Sequence, residues 1–293
     1  MPADIVIHNG ALMTFDEAQP EATALAINGG RITAVGTDGQ VKAEIGPETR
    51  VIDAGGGTVL PGFIDSHVHL FGGSVELNYL SLYGIKGLEA MREVILPYAA
   101  ANPEDRMLFC VMADYGILGS GRTLTRQDLD SILPERPLAM FAPDHHTVWA
   151  NTPALEAAGL LQGGQVDAGS EIVMGADGLA SGELLEPGAY GSILSLTRHG
   201  GRDMLGLTTG KEPVPPPSAA ERALDKEAIA RGLKHCAAQG ITGLHLMDGN
   251  RYQLELLSEL QAEGRLLCRC HVPFHFKGTD PIERLTREAP VLR

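Results

Sequence analysis

The sequence predicts an α/β protein in which a small β unit precedes a larger region with a parallel sheet. Over the first 55 residues, short apolar segments alternate with turn signals. After the glycines at 55–57, apolar runs of strand length alternate with patterns typical of amphipathic helices. This change of character places the domain boundary near residue 55.

The β unit is predicted from two pairs of short strands. Asn-Gly and Gly-Gly sequences accept the positive φ angles of tight hairpin turns. The two predicted hairpins are Ile5–Ile7 with Ala11–Thr14 around Asn9-Gly10, and Ala24–Ile27 with Arg31–Val35 around Asn28-Gly29-Gly30.

The second region opens with Thr58–Asp65, an apolar run bounded by glycine and proline that is typical of a fully buried strand. Ser218 and Glu221 form a capping box that predicts a helix start, and another helix is predicted over 253–263. The segment at about 160–217 is glycine-rich and weakly periodic, so it is predicted as a long loop insertion. Further parallel strands are predicted at Met107–Met112, Leu138–Ala142, Ile241–Met247 and Leu266–Val272.

Composition and charge argue against two classes of partner. The 37 acidic and 23 basic residues give a formal net charge of -14, which repels nucleic acid phosphates and anionic lipids. The sequence has no apolar run of 18 residues, no basic signal-peptide start and no disulfide-type cysteine pattern. We therefore expect a cytoplasmic protein without nucleic acid or membrane partners.

The strongest chemical motif is His67-Val68-His69, at the end of the first apolar run. Residues two apart in a strand point to the same side, so both imidazoles can approach one divalent cation at about 2 Å. Two hydrogen-bonded surface histidines are the alternative, which the preceding strand and β unit disfavour. Zinc suits two imidazoles, and iron, manganese or nickel would also fit.

Residues 53–69, DAGGGTVLPGFIDSHVH, resemble the first barrel strand of the amidohydrolase superfamily. Residues 144–155, 182–186 and 240–245 narrow this resemblance to the amidohydrolase 3 branch, which includes N-substituted formamide deformylases. The resemblance covers nearly all 293 residues. It implies part of a β-sandwich over residues 1–55, followed over residues 56–293 by an incomplete (β/α)8 TIM-type barrel with roughly five of its eight strands.

The resemblance also implies a metal site. His67 and His69 would bind one or two divalent metal ions, with zinc preferred. Glu186 would supply a carboxylate to the metal or act on its water; a solvated loop glutamate is the alternative reading.

The substrate pocket is expected at the end of the strand predicted over 138–142, where barrel enzymes keep their active sites. The resemblance implies that Asp144, His146, Trp149 and Asn151 shape this pocket. Core packing is the alternative for Trp149, the only tryptophan, and a helix N-cap is the alternative for Asn151.

Other histidines receive weaker predictions. His199 lies in the predicted loop and is expected at the surface. His245 lies near a strand end and could face the site. His271 and His275 flank Pro273, which interrupts strand alternation and favours structural roles.

The expected reaction is hydrolysis of a non-peptide C–N bond, of an amide or formamide type, by metal-activated water. The substrate would be a small amide-like molecule. The family also uses a bridging carboxylate, later histidines and a last-strand aspartate, which we do not find here, so the catalytic residue is unknown. The alternative is a truncated, non-catalytic metal-binding or assembly protein, and an open sheet edge would favour self-association or binding of a complementary chain.

Overall fold

The computed structural model describes residues 1–119, 121–273, 275–276 and 280–288. The chain divides into two compact units, Met1–Phe63 and Ile64–Arg293. Among the described helices, none combines the length and the apolar character needed to cross a lipid bilayer. All four cysteines are free thiols.

Two small sheets form the first unit, with strand orders β5-β4-β1-β6 and β3-β2-β7. They pack face to face through Leu12, Ala22 and Leu25. The elements are β1 (Ile5–His8), β2 (Ala11–Met13), β3 (Glu21–Ala22), β4 (Ala24–Asn28), β5 (Arg31–Gly36), α1 (Asp38–Val41), a 3₁₀ turn (Lys42–Glu44), β6 (Arg50–Asp53) and β7 (Thr58–Val59).

One predicted hairpin is confirmed and the other is wrong. Strands β4 and β5 pair antiparallel around Asn28-Gly29-Gly30. Strand β1 instead pairs with β4 and β6, while β2 pairs with β3 and β7. Asn9-Gly10 therefore carries the chain from one sheet to the other. Asn9 has a φ of 54° and its amide donates to Asp53, which holds this crossing in place.

The second unit contains a six-stranded sheet, β13-β14-β12-β11-β10-β9, and a three-stranded sheet, β16-β15-β8. Its strands are β8 (Phe63–Val68), β9 (Leu80–Ser81), β10 (Leu108–Val111), β11 (Leu138–Phe141), β12 (Thr147–Ala150), β13 (Glu171–Met174), β14 (Ala180–Leu185), β15 (Ile241–Leu246) and β16 (Arg269–His271). Its helices are α2 (Leu70–Glu76), α3 (Leu88–Ala101), α4 (Arg126–Asp130), α5 (Thr152–Ala158), α6 (Pro187–Leu194), α7 (Arg202–Thr208), α8 (Ala219–Ala238), α9 (Arg251–Ala262) and α10 (Ile282–Glu288).

The six-stranded sheet is buried on both faces. Leu108, Met140 and Trp149 pack on one face, whereas Phe109 and Phe141 pack on the other. Alternate residues of a strand point to opposite faces, so burial of both faces requires consecutive apolar residues. This explains why β10 and β11 were recognisable in the sequence as uninterrupted apolar runs.

The described strands form no closed barrel, and the single parallel sheet expected from the sequence is replaced by two separate sheets. Strands β9, β10 and β11 are parallel, but β12, β14 and β13 continue the sheet antiparallel. Only residues 142–146 connect β11 to β12. A parallel crossover needs about a dozen residues or more, so this short connection makes the pair antiparallel.

The structure places two strands and two helices within the segment at 160–217 that the sequence predicts as a loop. Strands β13 and β14 form an antiparallel pair, and helices α6 and α7 follow them. Gly163, Gly169 and Gly178 adopt positive φ angles, so tight turns break the segment into pieces too short to show a clear period.

The capping-box helix is confirmed as α8, with Ser218 as N-cap and Glu221 completing the box, and α9 matches the second predicted helix. The run at 58–65 is not one buried strand. Pro61-Gly62 divides it between β7 and β8, and Ile64 is 76% exposed.

Candidate functional site

His67 and His69 lie where β8 ends and α2 begins. His67 is in the strand, and His69 is the N-terminal cap residue of α2. Their ring centroids are 5.4 Å apart with planes at 83°. Nδ1 of His69 lies 3.2 Å from Oδ1 of Asp248, so a carboxylate lies beside the pair of histidines.

Asp248 is buried, with only 1% of its side chain exposed. It follows β15, which lies beside β8 in the three-stranded sheet. Met247 N–H donates to the carbonyl of Val68, which brings Asp248 to the level of His69. Burial raises the pKa of the Asp248 carboxyl, and its attraction to His69 opposes that rise.

A second group of polar residues lies at one edge of the six-stranded sheet. Strand β14 runs in the same direction as β11, because each is antiparallel to β12. Their carboxyl ends therefore share an edge, where His146 and Glu186 meet. Nδ1 of His146 lies 2.9 Å from Oε1 of Glu186, and Glu186 N–H donates to the carbonyl of His146.

Asp144 is fixed at the same edge by three contacts. The Tyr115 hydroxyl lies 3.2 Å from both carboxylate oxygens of Asp144 and 2.9 Å from the Thr147 hydroxyl. The backbone N–H of His146 donates to Asp144 Oδ1. The structure thus brings together Asp144 and His146, which are exposed, and Glu186, which is half-buried.

His145 points to a different partner. Its Nε2 lies 2.6 Å from Oε1 of Glu76, the last residue of α2, and this hydrogen bond raises the pKa of His145. The Tyr190 hydroxyl donates to the His145 carbonyl. Helix α2 thereby joins the end of β8 to the edge that carries Asp144 and His146.

Backbone strain is concentrated at this edge. Met112, His145 and Glu186 follow β10, β11 and β14, and their φ angles are 63°, 62° and 66°. Positive φ is unfavourable for residues with a β-carbon. Such strain persists only where the surrounding structure enforces it, and it clusters at functional sites.

Trp149 and Asn151 do not share the exposure of Asp144. Trp149 is 2% exposed in the core and contacts the Tyr115 ring edge-on. Asn151 follows the opposite end of β12 from His146, is fully buried and caps α5. Its side chain bonds four backbone groups. Trp149 thus packs in the core and Asn151 caps a helix, and their expected role in shaping the substrate pocket stays a prediction.

The surface prediction for His199 is wrong. This residue is 3% exposed, and its Nδ1 lies 2.7 Å from Oδ1 of Asp225. Arg202 and Tyr252 also donate to the Asp225 carboxylate, so Asp225 links α7, α8 and α9. His275 has a structural contact, with Nδ1 2.8 Å from the carbonyl of Gly206.

The donor set at His67 and His69 fits half of a metal site. With the Asp248 carboxylate accepting from Nδ1 of His69, its Nε2 keeps a lone pair directed away from that bond, the arrangement usual for metal-binding histidines. Glu186 contacts His146 instead. Among the described residues, no three or more His, Cys, Asp or Glu side chains are arranged to hold an ion.

Sequence reasoning missed Asp248, Glu76 and Tyr115. Asp248 follows a predicted strand, which was an available signal, because strand ends carry the sites of α/β proteins. Glu76 and Tyr115 had no comparable signal.

Comparison with known proteins gives a family match. The profile of the amidohydrolase family matches residues 50–291. A Bacillus subtilis protein named as an amidohydrolase, YtcJ, is 27% identical over 286 residues, which cover 96% of this chain and 50% of YtcJ. The N-substituted formamide deformylase of Arthrobacter pascens is 30% identical over 188 residues, 64% of this chain and 35% of that enzyme.

Solved structures show a similar fold. An uncharacterised metal-dependent hydrolase from Pyrococcus horikoshii superposes with a TM-score of 0.58 at 21% identity, covering 92% of this chain and 48% of that one. Its counterpart from Pyrococcus furiosus gives the same TM-score and covers 49% of that chain. The chain thus spans about half the length, or less, of these relatives.

Proposed function

Because this chain belongs to the amidohydrolase family, we propose that it is a metal-dependent hydrolase acting on a non-peptide C–N bond. The substrate class would be small amides or formamides. The similarity to a formamide deformylase supports this class, as do the polar groups at the edge of the six-stranded sheet.

The observation that carries the proposal is the contact between His69 and Asp248. A carboxylate behind a histidine fixes the imidazole orientation and raises its basicity toward a metal. Asp248 is buried and cannot turn to solvent, so the His69 ring is held before any ion binds. His67, whose ring centroid lies 5.4 Å from that of His69, would supply the second imidazole.

A divalent ion held by His67 and His69, for which zinc is the first choice, would provide activated water and polarise a carbonyl. Glu186 is proposed as a carboxylate that serves this centre, either as a ligand or by accepting a proton. Its hydrogen bond with His146 keeps the carboxylate oriented.

Asp144 and His146 are proposed to bind the substrate. Both side chains are exposed, and Tyr115 orients Asp144 through its hydroxyl. A carboxylate can accept a hydrogen bond from an amide N–H, and an imidazole can donate to or accept from a leaving amine. Trp149 would contribute indirectly, by packing against the ring of Tyr115.

A second candidate function is a non-catalytic metal-binding or assembly protein on the same scaffold. It is favoured by the finding that, among the described residues, no three His, Cys, Asp or Glu side chains are arranged to hold an ion. Strand β8 is at the edge of its sheet, and an exposed sheet edge can pair with a second copy or another chain.

Metal content is the first test. The purified chain is compared by inductively coupled plasma mass spectrometry with His67→Ala/His69→Ala, with Asp248→Asn, and with His235→Ala as a matched control. We expect near-stoichiometric metal in the original chain and the control, a clear loss of the tightly bound ion in the double variant, and a reduced amount in Asp248→Asn. Equal metal in all four would refute this assignment.

Activity separates the two candidates. The metal-loaded chain is assayed against a panel of N-formyl and N-acyl amines, with release of the amine as the readout. Turnover that is lost in His67→Ala/His69→Ala and reduced in His146→Ala supports the hydrolase. Stoichiometric metal without turnover of any panel member supports the non-catalytic protein.

A further inference from the structure

Two histidines outside the proposed catalytic centre stand side by side on neighbouring strands. Strands β15 and β16 are parallel, and His245 is the register partner of His271. Register partners project from the same face of a sheet. Their ring centroids are 4.8 Å apart with planes at 82°.

Both imidazoles are exposed to solvent, and neither has a polar partner among the described residues. The alternate residues Leu244, Leu246 and Cys270 turn toward the helices, which leaves His245 and His271 exposed on the other face. Within the part of the chain that the structure describes, neither imidazole has a hydrogen bond or ion pair, and their ring contact is with each other. A histidine placed for structural reasons normally has a polar partner, as His199 and His275 do.

We infer that His245 and His271 form a second metal site, which takes a borderline divalent ion such as Cu²⁺, Ni²⁺ or Zn²⁺. Ring nitrogens bind such ions at about 2 Å, and these rings are close enough to share one ion by side-chain rotation. Imidazole ligands select these ions over Mg²⁺ and Ca²⁺, which prefer oxygen. Water would complete the coordination, since no third protein group joins the pair among the described residues.

This site differs from the one at His67 and His69. The Asp248 carboxylate lies beside Nδ1 of His69 and fixes its ring, whereas no carboxylate among the described residues orients His245 or His271. Second-shell partners typically raise metal affinity about 10–100-fold, so the pair on β15 and β16 is expected to bind more weakly. The inference requires no catalytic activity and stands apart from the proposed function.

The test uses the full chain with His67→Ala/His69→Ala as background, so the first site is already absent. Metal-free protein is titrated with Ni²⁺ by calorimetry and with Cu²⁺ by electron paramagnetic resonance. His245→Ala and His271→Ala are added singly to this background. The exposed His235 on α8 provides the matched control, His235→Ala.

We expect the background chain to bind one Ni²⁺, with the Cu²⁺ spectrum showing coupling to two nitrogens. Each single variant is expected to lose roughly tenfold or more in affinity, because a chelate becomes a single ligand, and to show one coupled nitrogen. His235→Ala is expected to change neither readout, and Mg²⁺ to give no binding heat.

An unaltered affinity in His245→Ala or His271→Ala would overturn the inference, as would a background chain that binds no ion. Circular dichroism checks that each variant is folded. If a variant does not fold, the nitrogen count in the background chain decides: two coupled nitrogens support the site and one refutes it.

Discussion

Asn151→Ala is expected to destabilise the protein through four broken hydrogen bonds. The side-chain oxygen accepts from the backbone N–H groups of Leu138 and Ala154, and the amide donates to the carbonyls of Leu133 and Arg136, all at 2.8–3.0 Å. Alanine would leave these four groups without partners in a fully buried position. An unsatisfied buried group costs about 1–3 kcal/mol, so four groups at the lower end of that range give about 4 kcal/mol.

Asn250→Ala is the matched control. Asn250 also caps a helix, accepting from Gln253 N–H, but it is only half-buried, so its loss is expected to cost about 1 kcal/mol. Urea unfolding is followed by circular dichroism and by fluorescence of Trp149, which is buried two residues from Asn151. Equal destabilisation by the two variants would refute this reasoning.

Three further outcomes follow from burial and packing. Burial raises the pKa of Asp203 from 3.8 to about 6, so ionisation of this carboxyl lowers the free energy of unfolding as the pH rises through that window. Asp203→Asn is expected to raise the free energy of urea unfolding by up to about 3 kcal/mol at about pH 7.5 and hardly at all at about pH 4; equal increases at both pH values would contradict this. Asp225→Ala removes the acceptor of three buried partners and is expected to lower the free energy of unfolding by about 3–5 kcal/mol. Its control, Glu227→Ala, loses only an exposed ion pair and is expected to cost less than about 1 kcal/mol. Similar urea midpoints for the two variants would argue against this difference. Gly232→Ala would place a β-carbon 1.8 Å from the Ser74 hydroxyl and is expected to lower the free energy of unfolding by about 1–3 kcal/mol. A double variant with Ser74→Gly is expected to lose less stability than the sum of the two single variants. Strict additivity would mean that the clash does not occur.

The sequence predicted those parts of the fold whose signals are local. The β4–β5 hairpin is specified by Asn28-Gly29-Gly30, and α8 begins at a capping box formed by Ser218 and Glu221. Strand β12 has no such signal, because its four residues are all buried and its pairing with β14 depends on distant residues. Local sequence patterns therefore could not predict the mixed sheet.

The same distinction applies to the candidate site. His67 and His69 are recognisable because two imidazoles fall within three consecutive residues. The contact between His69 and Asp248 joins residues 179 apart in the chain, and that between Glu76 and His145 joins residues 69 apart. Only the folded chain brings such pairs together, so sequence patterns identify one member of each contact and not its partner.

The length of helix α2 sets the spacing between the histidines at the end of β8 and the polar residues at the edge of the six-stranded sheet. The helix begins after His69 and ends at Glu76, a separation of close to two helical turns, or about 10 Å of rise. Adding or deleting one residue would turn Glu76 by about 100° around the helix axis, away from His145. The number of residues in this short helix is therefore constrained in addition to their identity, which is already limited because Leu70, Phe71, Gly72, Ser74 and Val75 are buried.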